Sequence, residues 1–273
     1  MLILGDERLK SGLVVPTFAS QDSPMNEDRK VRDAVLLAAG RGTRMKGLTE
    51  DVPKPMLPVD GRPLLEHITI ALRDSGIEHF VVIVGYHADR IRDHFGDGRR
   101  FDVRIDYRIQ EVRDGTAGAL RLAEDAIAER PFLLGWGDIL TARANYTRLL
   151  DRFADGAADL VLAVNWVEDP HRGAAVYADD DGRIERIVEK PPPGTSTTHW
   201  HNAGIAVANS ALFTHAARVP RSPRGEFEIP DALTAMIAEG RRLEVVPLEG
   251  AWLDVGTPED LARAAEVLRH SRA

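Results

Sequence analysis

Two stretches near the start of the organised chain carry side chains suited to phosphate chemistry. An apolar run, Ala34-Val35-Leu36-Leu37-Ala38-Ala39, opens into Gly40-Arg41-Gly42-Thr43-Arg44. Small residues let backbone N–H groups come close to a ligand and cradle a phosphate, and Arg44 adds a cation. Taken alone, such a loop reads equally well as a tight turn. It is not a Walker A loop, because no Gly-Lys-Ser/Thr follows, and it lacks the third glycine of a dinucleotide fingerprint. Ten residues past Arg44, Pro53-Lys54-Pro55 sets a lysine between two prolines. The prolines should hold it in an extended, low-entropy segment with its ammonium pre-positioned.

The basic residues are skewed. Of 35 lysines and arginines only Lys10, Lys30, Lys46, Lys54 and Lys190 are lysines. A coding bias towards arginine explains this blandly. Against that background a lysine in the body of the chain is a candidate for a place where a compact ammonium must meet a single phosphate oxygen, which a guanidinium fork cannot do. Lys54 and Lys190 are the two such residues.

The elements that must position them alternate. Strands are expected at 34–39, 80–84, 103–107, 132–134 and 160–167, and helices at 63–75, 88–95, 117–128 and 146–153. Strict strand–helix alternation implies a mostly parallel, three-layered α/β sheet. Ligands then collect at the carboxyl ends of the strands, where the glycine loop and Gly137-Asp138 fall. The second half changes character, with a hairpin at 174–178 and 183–189 around Asp179-Asp180-Asp181-Gly182. A strand at 203–208, helices at 210–217 and 230–238, a strand at 243–248 and a helix at 258–269 capped by Thr257 complete the chain. Residues 1–30 lack sustained periodicity and read as an N-terminal extension outside the core, with a short strand at 13–15. The remainder, 31–273, reads as one domain with halves at about 33–165 and 166–269.

Composition narrows the class. The 273 residues contain no cysteine, so disulfides, thiolate catalysis and cysteine-bound metals are excluded. The net charge of −8 is a poor match to nucleic acid or an anionic membrane, so phosphate must be handled by a few placed cations. No apolar run reaches the length of a membrane span, and the N-terminus lacks signal-peptide features. The expectation is a cytoplasmic enzyme, compatible with a homo-oligomer.

Taken together, residues 37–58 resemble the signature of the sugar-1-phosphate nucleotidyltransferases, the nucleoside-diphosphate-sugar pyrophosphorylases: Leu-Ala-x-Gly-x-Gly-Thr-Arg, a Leu-Thr, then Pro-Lys-Pro-x-x-Pro. The resemblance extends over about residues 33–269 and is closest to glucose-1-phosphate thymidylyltransferase-like members. It implies a Rossmann-like, GT-A-type α/β fold with an antiparallel sugar-binding subregion. It also implies the reaction NTP + sugar 1-phosphate → NDP-sugar + pyrophosphate. Leu37, Ala39, Gly40, Gly42 and Thr43 would surround the nucleotide, with Gln110, Gly115 and Thr116 at the base. Gln110 would donate to O4 and accept from N3–H of thymine or uracil at once, favouring dTTP or UTP. Asp138 and Asp254 would be the Mg²⁺ ligands, since a hard cation takes carboxylate, water and phosphate oxygens. A lone strand-end aspartate is more often a cap than a ligand; two in this context reverse that preference.

On the sugar side the resemblance implies contacts from Gly173, Glu189, Asn202 and Gly204, with residues 225–228 beside the pocket. Glucose 1-phosphate is the favoured acceptor. Arg44 would hold the leaving β/γ-phosphates, Lys54 the α-phosphate and Lys190 the attacking phosphate. His199 and His201 read as surface or pocket-rim residues. Departures from the pattern are Ala39 for glycine, Gly47 for proline and Trp136 for asparagine. Three alternatives stay open: a guanylyltransferase for mannose or heptose 1-phosphate, a cytidylyltransferase for a non-sugar phosphate such as phosphocholine, and an inactive regulatory paralogue. Glu189-Lys190-Pro191 argues against the second. The retained aspartates and Lys54 argue against the third.

Overall fold

A computed structural model describes residues 29–45 and 47–270; the strand expected at 13–15 lies outside them. The chain starts with β1 (Asp33–Leu37), whose alternate side chains are buried on both faces. A tiny ribbon, β2 (Pro58–Val59) and β3 (Arg62–Pro63), leads into α1 (Leu64–Arg73). Then come β4 (His79–Val84), α2 (Ala88–Phe95), β5 (Arg104–Ile109), α3 (Thr116–Arg121) and α4 (Glu124–Ile127). Next are β6 (Phe132–Trp136), β7 (Ile139–Thr141), α5 (Arg143–Asp155), β8 (Leu160–Trp166), β9 (Ala174–Ala178) and β10 (Ile184–Glu189). The last are β11 (Trp200–Ala208), α6 (Ala211–Ala216), α7 (Ile229–Ala238), β12 (Leu243–Pro247), β13 (Trp252–Asp254) and α8 (Pro258–His270).

Nine of these strands form one sheet. β5, β4, β1 and β6 lie side by side and parallel, which requires the helical crossovers the sequence alternation implies. β11 runs antiparallel between β6 and β8, with the β9–β10 hairpin attached near its start and β12 parallel to β8. The fold is therefore a three-layered α/β sheet with an antiparallel subregion. Ala34 and Leu36 of β1 join one core with α1, α2, α5 and α8. Val35, on the opposite face, joins the other core with α3, α4, α6 and α7. This is the period-two alternation of a strand covered on both sides.

Several local expectations change. The helix expected over 117–128 is two helices: around Leu122 and Ala123 the chain turns through i to i−3 bonds, Leu122 N–H to Ala119 O and Ala123 N–H to Leu120 O. Lys54 is not extended. Pro53 is, but Lys54 begins a 3₁₀ turn closed by Met56 N–H to Pro53 O, because proline is tolerated in a first helical turn. Arg29, assigned to the extension, is anchored on the core. Its guanidinium donates to Phe153 O at 2.9 Å and Ala158 O at 2.7 Å and lies 4.2 Å from the Phe153 ring centroid. No helix among the described residues is long and apolar enough to cross a membrane.

Candidate active site

The site lies where β1, β6 and β11 meet at the carboxyl ends of the parallel strands. Two short strands that the sequence pattern did not reveal build its centre. β6 ends at Trp136, and after Gly137 the chain places Asp138 directly before β7. β7 pairs antiparallel with β13, Ile139 opposite Asp254. Val255 N–H donates to Asp138 O at 3.0 Å, so the two aspartates are fixed on adjacent backbones.

Lys54 completes this centre. It is only 7% exposed, and its Nζ lies 2.5 Å from Asp138 Oδ2 and 3.7 Å from Asp254 Oδ1. Burial pushes the Asp254 carboxyl up, and the Asp138 charge adds to the rise; Lys54 and Arg44 pull the other way. Two carboxylates competing for one ammonium make a place short of positive charge. Among the described residues no cluster of three or more histidine and carboxylate side chains forms a metal cage. The pair fits a divalent ion that draws its remaining oxygens from substrate phosphates, the usual arrangement for Mg²⁺.

Two connected lobes open from the centre. One, of about 200 Å³, is walled by Leu37, Ala39, Gly40, Lys54, Gln110, Gly115, Thr116 and Asp138. The other, of about 340 Å³, is walled by Arg44, Asp138, Gly173, Glu189, Lys190, Asn202, Gly204 and Asp254. Trp136, Thr116 and Glu226 border both. Of the residues selected from sequence, Gly42 and Thr43 alone are on neither wall. Gly42 instead sits under the loop, its carbonyl accepting from Thr49 Oγ1 at 3.1 Å, and Thr43 starts the short turn that carries Arg44.

In the smaller lobe, Gly115 abuts residues 225–228 so closely that a Cβ would come within 2.2 Å of Phe227 O. Ala117 N–H donates to that same carbonyl, and the Thr116 hydroxyl accepts from Ile229 N–H at 3.1 Å, so Thr116 caps α7 as well as facing the lobe. The two-way use expected of Gln110 meets competition within the protein. Both hydrogens of its amide are engaged within its own loop, by Asp114 Oδ1 and Gly115 O, each at 3.2 Å.

In the larger lobe, Glu189 ends β10 and is pushed up by burial, while Lys190 and Arg224 act in the opposite direction. Lys190 Nζ is 3.8 Å from Glu189 and half exposed, and the Lys190 backbone N–H donates to Gly173 O at 2.8 Å. Asn202 turns its Oδ1 onto Gly204 N–H at 2.9 Å, closing a bulge in β11. Gly204 has φ +73°, and a Cβ there would lie 2.3 Å from Ile139 Cδ1. Only glycine lets β11 come this near the strand that follows Asp138.

Several wall residues received no role in the sequence reading, Arg172, Arg224 and Trp252 among them. Arg172 and Arg224 add cations to the larger lobe. Arg224 bridges Glu189 and the nearly buried Glu228. His201, read as a rim residue, is an inner wall group. Burial pushes its imidazole down to about 4, and its Nδ1 lies 3.1 Å from Asn165 Oδ1. Trp252 packs edge-on against His201 and donates from Nε1 to Ala203 O. No local pattern marks these residues; they converge only through the sheet.

Comparison with known proteins agrees with this architecture. Residues 33–271 match the family described as Nucleotidyl transferase. The UTP--glucose-1-phosphate uridylyltransferase AglF of Haloferax volcanii is 39% identical over 86% of this chain and 96% of its own length. A mannose-1-phosphate guanylyltransferase of Mycobacterium tuberculosis is 32% identical over 87% of this chain and 65% of its own. The chain spans about half, 53%, of the bifunctional GlmU of Methanococcus maripaludis, at 33% identity. Among solved structures, a Bacillus anthracis protein assigned as a glucose-1-phosphate thymidylyltransferase superposes with a TM-score of 0.78. It is 27% identical and covers 87% of this chain and 95% of that one.

Proposed function

Starting from a chain that belongs to the nucleotidyl transferase family and is a sugar-1-phosphate nucleotidyltransferase, we propose that it joins UTP or dTTP to a hexose 1-phosphate, glucose 1-phosphate foremost. The observation that carries this reading is Lys54 held between Asp138 and Asp254 where the two lobes meet. The smaller lobe takes the nucleotide, with the glycine loop and Gln110 on its wall. The larger lobe takes the sugar phosphate, with Glu189 and Asn202 for hydroxyls and Lys190 for the phosphate.

A phosphate oxygen of the sugar attacks the α-phosphorus in line, and pyrophosphate leaves. The nucleophile is already ionised at neutral pH, so no general base is required, and catalysis is placement and charge neutralisation. Lys54 is the α-phosphate ligand. On substrate binding its ammonium exchanges part of its contact with Asp138 for a phosphoryl oxygen as charge builds there. Arg44, whose guanidinium lies against the Gly256 backbone beside Asp254, steadies the leaving phosphates. Asp138 and Asp254 would hold Mg²⁺, which when bound neutralises phosphate charge and polarises the phosphoryl oxygens. His201, neutral at working pH, adds no charge to the sugar lobe.

The choice of UTP over dTTP leans on AglF, named as a UTP--glucose-1-phosphate uridylyltransferase. Pyrophosphate release measured over UTP, dTTP, GTP, CTP and ATP, each with glucose, mannose and N-acetylglucosamine 1-phosphates, tests the reading. Best use of UTP or dTTP with glucose 1-phosphate supports it. GTP with mannose 1-phosphate as the best pair would replace it with the guanylyl alternative.

A further inference from the structure

The carboxamide of Gln110 is clamped by its own loop. Nε2 lies 3.2 Å from Asp114 Oδ1 and 3.2 Å from Gly115 O, and both of these atoms can only accept. The nitrogen must therefore sit on that side, with its two hydrogens engaged. Oε1 is the one polar atom of the side chain left for a ligand in the nucleotide lobe that Gln110 lines. The clamp is itself anchored. Gln110 N–H donates to Val84 O at 2.8 Å, and Asp114 O accepts from Phe227 N–H at 2.6 Å. The Asp114 carboxylate lies over Gly118, where a Cβ would come within 2.1 Å of Oδ1, so only glycine at that position leaves it room.

We propose that Asp114 is a positioning residue for base selection: by engaging the Gln110 donors with Gly115 O, it makes Gln110 an acceptor-only reader. An acceptor-only reader matches a ring N–H flanked by a carbonyl, as in uracil, thymine and guanine. It opposes the unprotonated ring nitrogen of cytosine or adenine, where two lone pairs would face each other. The chain then divides nucleotides by imide against amidine edge, and not by pyrimidine against purine. This rests on the proposed nucleotide lobe.

The test is kcat/KM for UTP, dTTP, GTP, CTP and ATP at saturating sugar 1-phosphate, in wild type, Asp114→Ala and Asp114→Asn. Wild type should prefer its best imide nucleotide over CTP and ATP by about 100-fold or more. In Asp114→Ala half of the clamp is gone and Gln110 can turn over against Gly115 O alone to offer a donor, so the imide-to-CTP ratio should fall about tenfold through KM for the nucleotide, with KM for the sugar phosphate within about twofold. Asp114→Asn keeps an acceptor oxygen and should restore the ratio to within about threefold of wild type. The ratio does not depend on the fraction of folded enzyme. An unchanged ratio in Asp114→Ala overturns the inference. So does wild-type use of CTP within about tenfold of the best nucleotide, which decides the matter even if Asp114→Ala fails to fold. No turnover with any nucleotide would overturn the underlying lobe assignment and this inference with it, a result distinct from a changed base preference.

Discussion

Lys54 Nζ and Asp138 Oδ2 meet at 2.5 Å, at the point where the central sheet hands over to the short β7–β13 pair. The contact joins residues 84 positions apart in sequence, one from a proline-flanked turn and one from a strand end. Because the lysine is nearly buried and Asp254 is also within 4 Å, the ammonium fills the role of a cation shared by two carboxylates. The same three groups therefore tie the walls of the cleft together.

Lys54→Arg should fail although it keeps the charge. The wider guanidinium cannot occupy a buried point between Asp138 and the Gly42 loop, where a Cβ added to Gly42 would already lie 2.9 Å from Lys54 Cβ. A fall in kcat of about 100-fold or more, with a melting temperature within a few degrees of wild type, is expected. Activity within about threefold of wild type would mean that the lysine is only an escape from the arginine bias.

The two aspartates should separate stability from activity. Asp254→Asn removes a carboxylate that burial, and after it the Asp138 charge, holds up, so without metal the variant should melt no lower than wild type. Asp138→Asn leaves Lys54 buried without the charge of its near partner and should cost about 1–3 kcal/mol. Both should lose Mg²⁺-dependent turnover by about 100-fold or more. Thermal melts with and without Mg²⁺, beside steady-state rates, distinguish the effects.

His201 sets an acid limit to stability. Its folded-state value near 4 lies below the ordinary 6.5, so as pH falls through that window the unfolded chain takes up a proton that the folded chain refuses. Stability attributable to this group is intact above pH 6.5 and falls by up to about 3 kcal/mol on reaching pH 4. In His201→Gln, urea denaturation at intervals across this range should show a shallower decline than wild type. Parallel declines would contradict the assignment.

Gly204→Ala should disturb the centre from behind. The φ of +73° costs an alanine about 1–2 kcal/mol, and its Cβ drives against Ile139, the neighbour of Asp138. The expected result is a kcat loss exceeding what the stability loss explains. Adding Ile139→Val, which removes the colliding Cδ1, should recover part of kcat but not the backbone cost.

Arg29→Ala should lower the melting temperature, since two carbonyl contacts and the stacking on Phe153 are lost, at about 1–2 kcal/mol. Kinetic constants should not move, because Arg29 sits against α5, away from the cleft.

The parallel half of the sheet was legible because buried strands and amphipathic helices alternate locally: 88–95 reads as a helix with the same ends in the fold. The glycine loop drew notice as small residues after a strand and Lys54 as a lysine between two prolines, whereas Asp138 was picked out only through the family resemblance. Pairing of β7 with β13 was not, since three-residue strands so far apart in the chain leave no periodicity. His201 joins the larger lobe because β11 lies between β6 and β8, and Arg224 because its loop folds onto Glu189 at the end of β10. The Gln110 clamp was missed for a different reason. Residue type gives the amide's donors and acceptor, but only geometry tells which of them its own loop consumes.

Exchange of labelled pyrophosphate into UTP or dTTP with Mg²⁺, with and without glucose 1-phosphate, tests the side-by-side arrangement most directly. Direct attack of one bound substrate on the other predicts pyrophosphate release and NDP-sugar formation only when both substrates are present, with no exchange and no labelled protein in the absence of the sugar phosphate. Exchange without sugar phosphate, or label retained on the protein from UTP radiolabelled at its α-phosphate, would contradict the account.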